Sequence, residues 1–168
     1  MRLSTFFLSL GLLWTAQAPW QVGLRSFGPI SYGMTLRQAT AILGETLELA
    51  EPGLFEGCDY ASGKTTPPGT SFMVWDTVIV PVDVDTPGVW TRSGIEVGSS
   101  EDDVRKKYPG RIRTDGHPYD GPDAHYLIYE PVAAADTSFG IIFETDGRRV
   151  TRYRAGLRKA VELIEGCA

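Results

Sequence analysis

The sequence predicts an α+β fold in which two tandem repeats, each a short helix followed by antiparallel strands, pack as one unit. Three observations carry this prediction. The stretch "ISYGMTLRQATAILG" from Ile30 returns at an offset of sixty-five residues as "IEVGSSEDDVRKKYPG" from Ile95, pairing Ile30 with Ile95, Gly33 with Gly98, Thr35 with Ser100, Ala39 with Val104 and Leu43 with Tyr108. After each copy the apolar spacing changes from helical to alternating. The boundary between the two halves is the turn Thr86-Pro87-Gly88, too short for a flexible linker.

Residues 1–18 read as a secretory signal peptide. Arg2 supplies the positive charge, Leu3 to Leu13 is mostly apolar, and Ala16-Gln17-Ala18 offers a small-x-small cleavage pattern. Pro19 is an awkward neighbour for a scissile bond, so the cleavage position stays open. The apolar run is too short to span a bilayer, and the absence of a cysteine near its end disfavours a lipid anchor. No stable membrane insertion is expected once the signal is removed.

The first repeat is assigned to residues 19–88 and the second to 89–168. Thr35 is placed to cap a helix, with Gln38 three residues on completing a capping box; Ser100 and Asp103 repeat the arrangement. Leu36, Ala39, Ile42 and Leu43 form an apolar stripe, and Gly44 stops the first helix as Pro109-Gly110 stops the second. Glu101, Asp102 and Asp103 put negative charge at the positive end of the second helix dipole. "SFMVWD" and "VIVPVDV" then read as strands, with Val78, Val80, Val82 and Val84 on one face and Ile79, Pro81, Asp83 and Asp85 on the other. Pro81 cannot donate to a ladder and argues for an edge strand or a bulge. "AHYLIYEP", "SFGIIFET" and "RRVTRYRA" read as strands of the second repeat, the last two joined by a turn at Asp146-Gly147.

A chain of 168 residues can bury roughly 70% of its unfolded surface. Its formal charge of -5 with 42% hydrophobic residues fits a globular protein and argues against nucleic acid as a partner. Cys58 and Cys167 are an even pair in a chain addressed for export, where a disulfide is the default. A thiol pair used for catalysis or metal binding would call for nearby histidine or a Cys-x-x-Cys spacing, and neither is present.

The pattern Ile30-x-x-Gly33-Met34-Thr35, followed by Gln38-Ala39 and Leu43-Gly44, resembles the helix motif of the SmpA/OmlA-like outer-membrane assembly lipoproteins and of the tandem beta-lactamase inhibitor proteins. The resemblance covers about fifteen residues closely, the second copy loosely and the strands by order alone. It implies helices laid against a small antiparallel sheet, with the unit used twice as in the inhibitor proteins. The chain departs from the lipoproteins in lacking a lipidation cysteine and from the inhibitors in cysteine number, so no functional residue is carried over.

The segment richest in reactive groups is "DGHPYDGPDAHY", with Asp115, His117, Asp120, Asp123 and His125. Two imidazoles and three carboxylates have the chemistry to ligate a divalent metal or supply a general base. Gly116, Pro118, Gly121 and Pro122 instead mark turns, and loop geometry accounts for the aspartates. There is no Gly-x-Ser-x-Gly elbow, and Gly63-Lys64-Thr65 lacks the upstream glycine of a phosphate loop.

Charge is unevenly spread. Residues 19–88 hold 3 basic and 8 acidic residues, whereas residues 89–168 hold 12 and 13. Arg152 and Arg154 share one face of the last strand and would project as a basic stripe, with Asp83 and Asp85 as an acidic counterpart. The plain reading is that these faces neutralise one another; the sharper one is a docking surface steered by charge and anchored by aromatics such as Trp90. The expectation is therefore an exported, monomeric, non-enzymatic protein-binding module of the periplasm or extracellular space, with neither cofactor nor metal. An inhibitor of a secreted enzyme is a special case. The alternative is a metal-assisted or histidine-dependent hydrolase centred on His117 and His125.

Overall fold

The computed structural model describes residues 20–167, and the signal peptide read over residues 1–18 lies outside them. Among these residues the first half runs β1 (Gln21–Val22), β2 (Ser26–Phe27), β3 (Ile30–Ser31), α1 (Leu36–Leu43), β4 (Glu48–Leu49), β5 (Cys58–Ser62), β6 (Thr70–Trp75) and β7 (Val78–Val84). The second half runs β8 (Trp90–Thr91), α2 (Glu101–Lys107), β9 (Ile112–Gly116), β10 (His125–Tyr129), β11 (Phe139–Thr145), β12 (Val150–Leu157) and α3 (Arg158–Val161), with a single 3₁₀ turn at Ala134–Asp136. The protein is thus a mixed α+β fold, mostly sheet, with three short helices.

Both longer helices start as their local sequences require. Thr35 and Ser100 accept the backbone N–H of Gln38 and Asp103, and those side chains return to the cap N–H, closing a capping box in each case. Gly33 and Gly98 precede the caps with φ of 94° in both, a left-handed turn that an L side chain rarely adopts. Their N–H groups donate to the carbonyls of Ile79 and Val150, and those of Leu36 and Glu101 donate to Thr77 and Arg148. Each helix N-terminus is therefore pinned to a strand-connecting turn of its own half. Of the expected apolar stripe, Ala39 is buried and Leu36 and Leu43 pack on the core, while Ile42 is 45% exposed. Its angular position on an ideal helix lies to one side of the other three.

The main sheet has eight strands in the order β4-β5-β6-β7-β12-β11-β10-β9, with neighbours antiparallel. The halves meet at β7 and β12, where Asp83 lies opposite Arg154 and Pro81 opposite Gly156. Pro81 accordingly sits in a central strand, not at an edge, and a bulge accommodates it. Phe72 pairs with Val82 and Val74 with Ile79, so Met73 faces two residues, Val80 and Pro81. The bulge also corrects the strict alternation expected for this strand: Val78 and Val80 turn to one face, while Ile79, Val82 and Val84 turn to the other. A Cβ at Gly156 would run into the Val80 carbonyl and the Pro81 Cα, which explains glycine there.

The sheet separates two layers. On the inner face, Ala39 of α1, Val104 of α2, and Val22, Phe27 and Ile30 of a small four-stranded sheet (β3-β2-β1-β8) pack on Phe72, Val82, Leu127, Phe143 and Tyr153. The Tyr153 hydroxyl donates to the Val89 carbonyl, tying the inter-half turn to the core. On the outer face, Ala160 and Val161 of α3 cover Met73, Val80, Tyr126 and Ile142. The chain then crosses back to a disulfide between Cys167 and Cys58, 109 residues apart in sequence. Among the described residues, no helix is long and apolar enough to cross a membrane.

Candidate functional site

Strand alternation and the β7–β12 pairing gather Asp83, Arg152 and Arg154 on the outer face. The centre of this cluster is a residue the sequence reading passed over. Glu144 of β11 is 2% exposed and accepts from Arg152 Nε at 2.6 Å and from Arg154 Nη2 at 2.5 Å. His117 lies against the same carboxylate, its Nε2 3.3 Å from Oε2. The His117 Nδ1 accepts the backbone N–H groups of Tyr119 and Asp120, so the Nε2 proton is the one directed at Glu144. Burial by itself would raise the Glu144 carboxyl, but hydrogen bonds from Arg152 and Arg154 and their charges hold it below its ordinary value.

This geometry corrects the basic stripe. Arg154 is buried, with Nη2 on Glu144 and Nη1 on the Leu163 carbonyl, so of the two arginines only Arg152 reaches solvent. The cause is the hairpin at Asp146-Gly147, which folds Glu144 directly opposite Arg152. The signal was in the sequence, because a turn at that dipeptide places the preceding strand's acid beside the arginines.

Asp83 is half-buried on β7 and is raised from 3.8 to about 6. Loss of solvation drives the shift, and the charges of Arg154 and Arg152, already committed to Glu144, only partly oppose it. Asp83 and Arg152 line a cavity of about 230 Å³ together with Tyr60, Ser71 and the exposed Asp85. A second cavity of about 260 Å³ shares Tyr60, Asp83 and Arg152 and is walled by Tyr119, Ile164 and Glu165. The C-terminal segment after α3 forms that wall: the Tyr119 hydroxyl donates to Glu165 at 2.7 Å, and Arg154 holds the Leu163 carbonyl at 2.6 Å. Trp90 is 44% exposed on β8 of the small sheet, pairs beside Gln21, and lines neither cavity.

The two histidines do not meet. His125 faces inward, where its Nδ1 lies 2.8 Å from Glu101 Oε1, an oxygen that also accepts from the Thr145 hydroxyl. Burial pushes the Glu101 carboxyl up, yet the hydrogen bonds from Thr145 and His125 leave it lowered overall. The next residue, Tyr126, points outward and packs on the His117 ring at 4.5 Å between centroids. Each imidazole is thus taken up by a separate carboxylate on an opposite face. Among the described residues, no group of three or more His, Cys, Asp and Glu side chains is arranged to hold a metal ion.

No protein-family model matches the chain. No curated protein matches it either. Two solved structures are similar at low identity. One is an extracellular protein containing a SCP domain from Bacillus anthracis, with 14% identity over 76% of this chain and a TM-score of 0.48; the chain spans 44% of that protein's length. The other is the uncharacterized protein yfeY from Escherichia coli, with 16% identity over 82% of this chain and 99% of the other, and a TM-score of 0.47.

Proposed function

We propose that this chain is an exported, non-enzymatic protein-binding module of the periplasm or extracellular space, acting as a monomer and recognising its partner through the outer face of the main sheet. The observation that carries the reading is the opening of Asp83, Asp85 and Arg152 onto one cavity edged by Tyr60. Carboxylates and a guanidinium presented together around an aromatic favour a complementary charged surface and speed its approach. Export is supported by the signal-like residues 1–18 and by the disulfide. The family resemblance is part of the same proposal: two copies of one helix-and-sheet unit, as in the tandem inhibitor proteins. It is supported by the paired capping boxes, the paired glycine turns and the mirrored strand order.

The test uses tagged residues 19–168 to capture proteins from the envelope and medium of the producing cells at low and high salt. The expected result is a stoichiometric partner whose association slows with Arg152→Glu and loses its salt dependence, while His117→Gln leaves it nearly unchanged. Stoichiometric metal that disappears in His117→Gln would support a hydrolase instead and sink the binding reading.

A further inference from the structure

A second surface lies at the far edge of the inner face, between Leu36 at the start of α1 and the loop that joins β4 to β5. Leu36, Leu49, Leu54, Phe55 and Val74 line a groove of about 620 Å³ there. Leu54 is 61% exposed and Phe55 39%, an apolar pair left at the surface by the loop between β4 and β5. Isolated exposed leucines are ordinary, but a contiguous apolar groove marks an interaction site.

The charge around this groove has one sign. Its lining includes Glu56, Asp59 and Asp76 and holds neither Lys nor Arg. The flanking stretch from Glu48 to Asp59 adds Glu51 and contains no base; Arg37, exposed on α1, is not among the lining residues. One acid is incompletely satisfied. Asp59 Oδ1 accepts the N–H groups of Tyr60 and Glu51, whereas its Oδ2 is buried with no hydrogen-bond partner among the described residues. A buried carboxylate oxygen without a donor is costly, and positive charge brought near it would offset part of that cost through space.

We infer that this groove receives a partner segment that carries apolar side chains together with Lys or Arg. Leucine- or phenylalanine-sized groups enter between Leu54, Phe55 and Leu36, and the basic head lies in the negative field of Glu56, Asp59 and Asp76. The assignment rests on the protein-binding reading and specifies the chemistry of the partner.

The probe is a fluorescein-labelled peptide in which Leu and Phe alternate with Lys, measured by anisotropy on residues 19–168. A matched peptide with Glu in place of Lys is the control, so the decisive charge change is made in the probe and leaves the fold untouched. The Lys peptide should bind and weaken with salt, and the Glu peptide should not. Replacing Leu54 and Phe55 by Ser should weaken the Lys peptide by at least about tenfold. Asp59→Asn should weaken it several-fold, and Arg152→Glu on the outer face should leave it unchanged. Equal binding of both peptides, or binding insensitive to the Leu54 and Phe55 changes, would overturn the assignment. So would dimerisation of the chain that is lost in the same Leu54 and Phe55 variant, because the occupant would then be a second copy. Failure of the wider reading looks different: peptide binding persists while capture from the envelope and medium stays blank.

Discussion

The first residue of each longer helix meets the sheet in a different way. At α2 it is Glu101, which reaches His125 and Thr145 and closes the space between helix and strands with hydrogen bonds. At α1 the residue sixty-five positions earlier is Leu36, which lines an open groove with Asp59, whose Oδ2 is buried with no hydrogen-bond partner among the described residues. The same backbone start, pinned to a turn by the same carbonyl contacts, thus yields a sealed joint in one half and an accessible apolar surface in the other. The exchange of Glu101 for Leu36 at a matching backbone position accompanies a hydrogen-bonded joint in one half and an open, largely apolar groove in the other.

The largest expected effect probes the outer face shared by both halves. Glu144→Ala would leave Arg154 buried without its counter-charge and should cost about 3–5 kcal/mol, read as a lower urea midpoint. Removing the disulfide by Cys58→Ser with Cys167→Ser comes next, at about 2–4 kcal/mol, because it frees a long loop in the unfolded chain. The accompanying rise in amide exchange should concentrate after α3, where the C-terminal segment crosses the sheet, and not at α1 or α2.

A smaller effect separates Asp83 from Glu144. Asp83 is an acid raised from 3.8 to about 6, so the folded state favours its protonated form. Its contribution to stability is fully present below its unfolded value and is lost as pH rises through about 6. Glu144 is lowered and has the opposite sign: its contribution is present above its ordinary value and is lost as pH falls through the folded one. Asp83→Asn should therefore stabilise the protein at neutral pH, by an amount on the order of 2 kcal/mol, and flatten the loss between about pH 4 and 7.

The smallest changes bear on the relation between the halves. Thr35→Ala and Ser100→Ala each remove a capping hydroxyl and should cost about 1 kcal/mol by thermal denaturation. Similar costs are expected if the two helices are copies of one unit. A cost several times larger at one cap would break that equivalence.

Local chemistry was the legible part of the fold. The caps at Thr35 and Ser100, the turn at Asp146-Gly147, the central strands and the distant cysteine pair all follow from neighbouring residues or from simple pairing. What escaped depends on long-range packing. The two-residue strands β1, β2, β3 and β8 have no periodicity to read, and they exist because Val22, Phe27 and Ile30 find the inner face of the main sheet. Pro81 suggested an edge or a bulge because its missing N–H was visible; the bulge is what forms, opposite Met73 of the neighbouring strand, while the central place of the strand depends on its pairing with Gly156, 75 residues away. Arg154 looked like a surface charge until the hairpin placed Glu144 within its reach. The groove beside Asp59 was hidden for the same reason: nothing local to Leu36 says that Leu54 and Phe55 are left exposed beside it.

Amide hydrogen exchange on residues 19–168, alone and with the captured partner, tests the protein-binding reading most directly. The predicted result is protection gained around Asp83 and Arg152 and along the stretch from Leu49 to Asp59, with no change at Glu101 or His125. Protection centred on the loop from Asp115 to His125, or none anywhere, would contradict it.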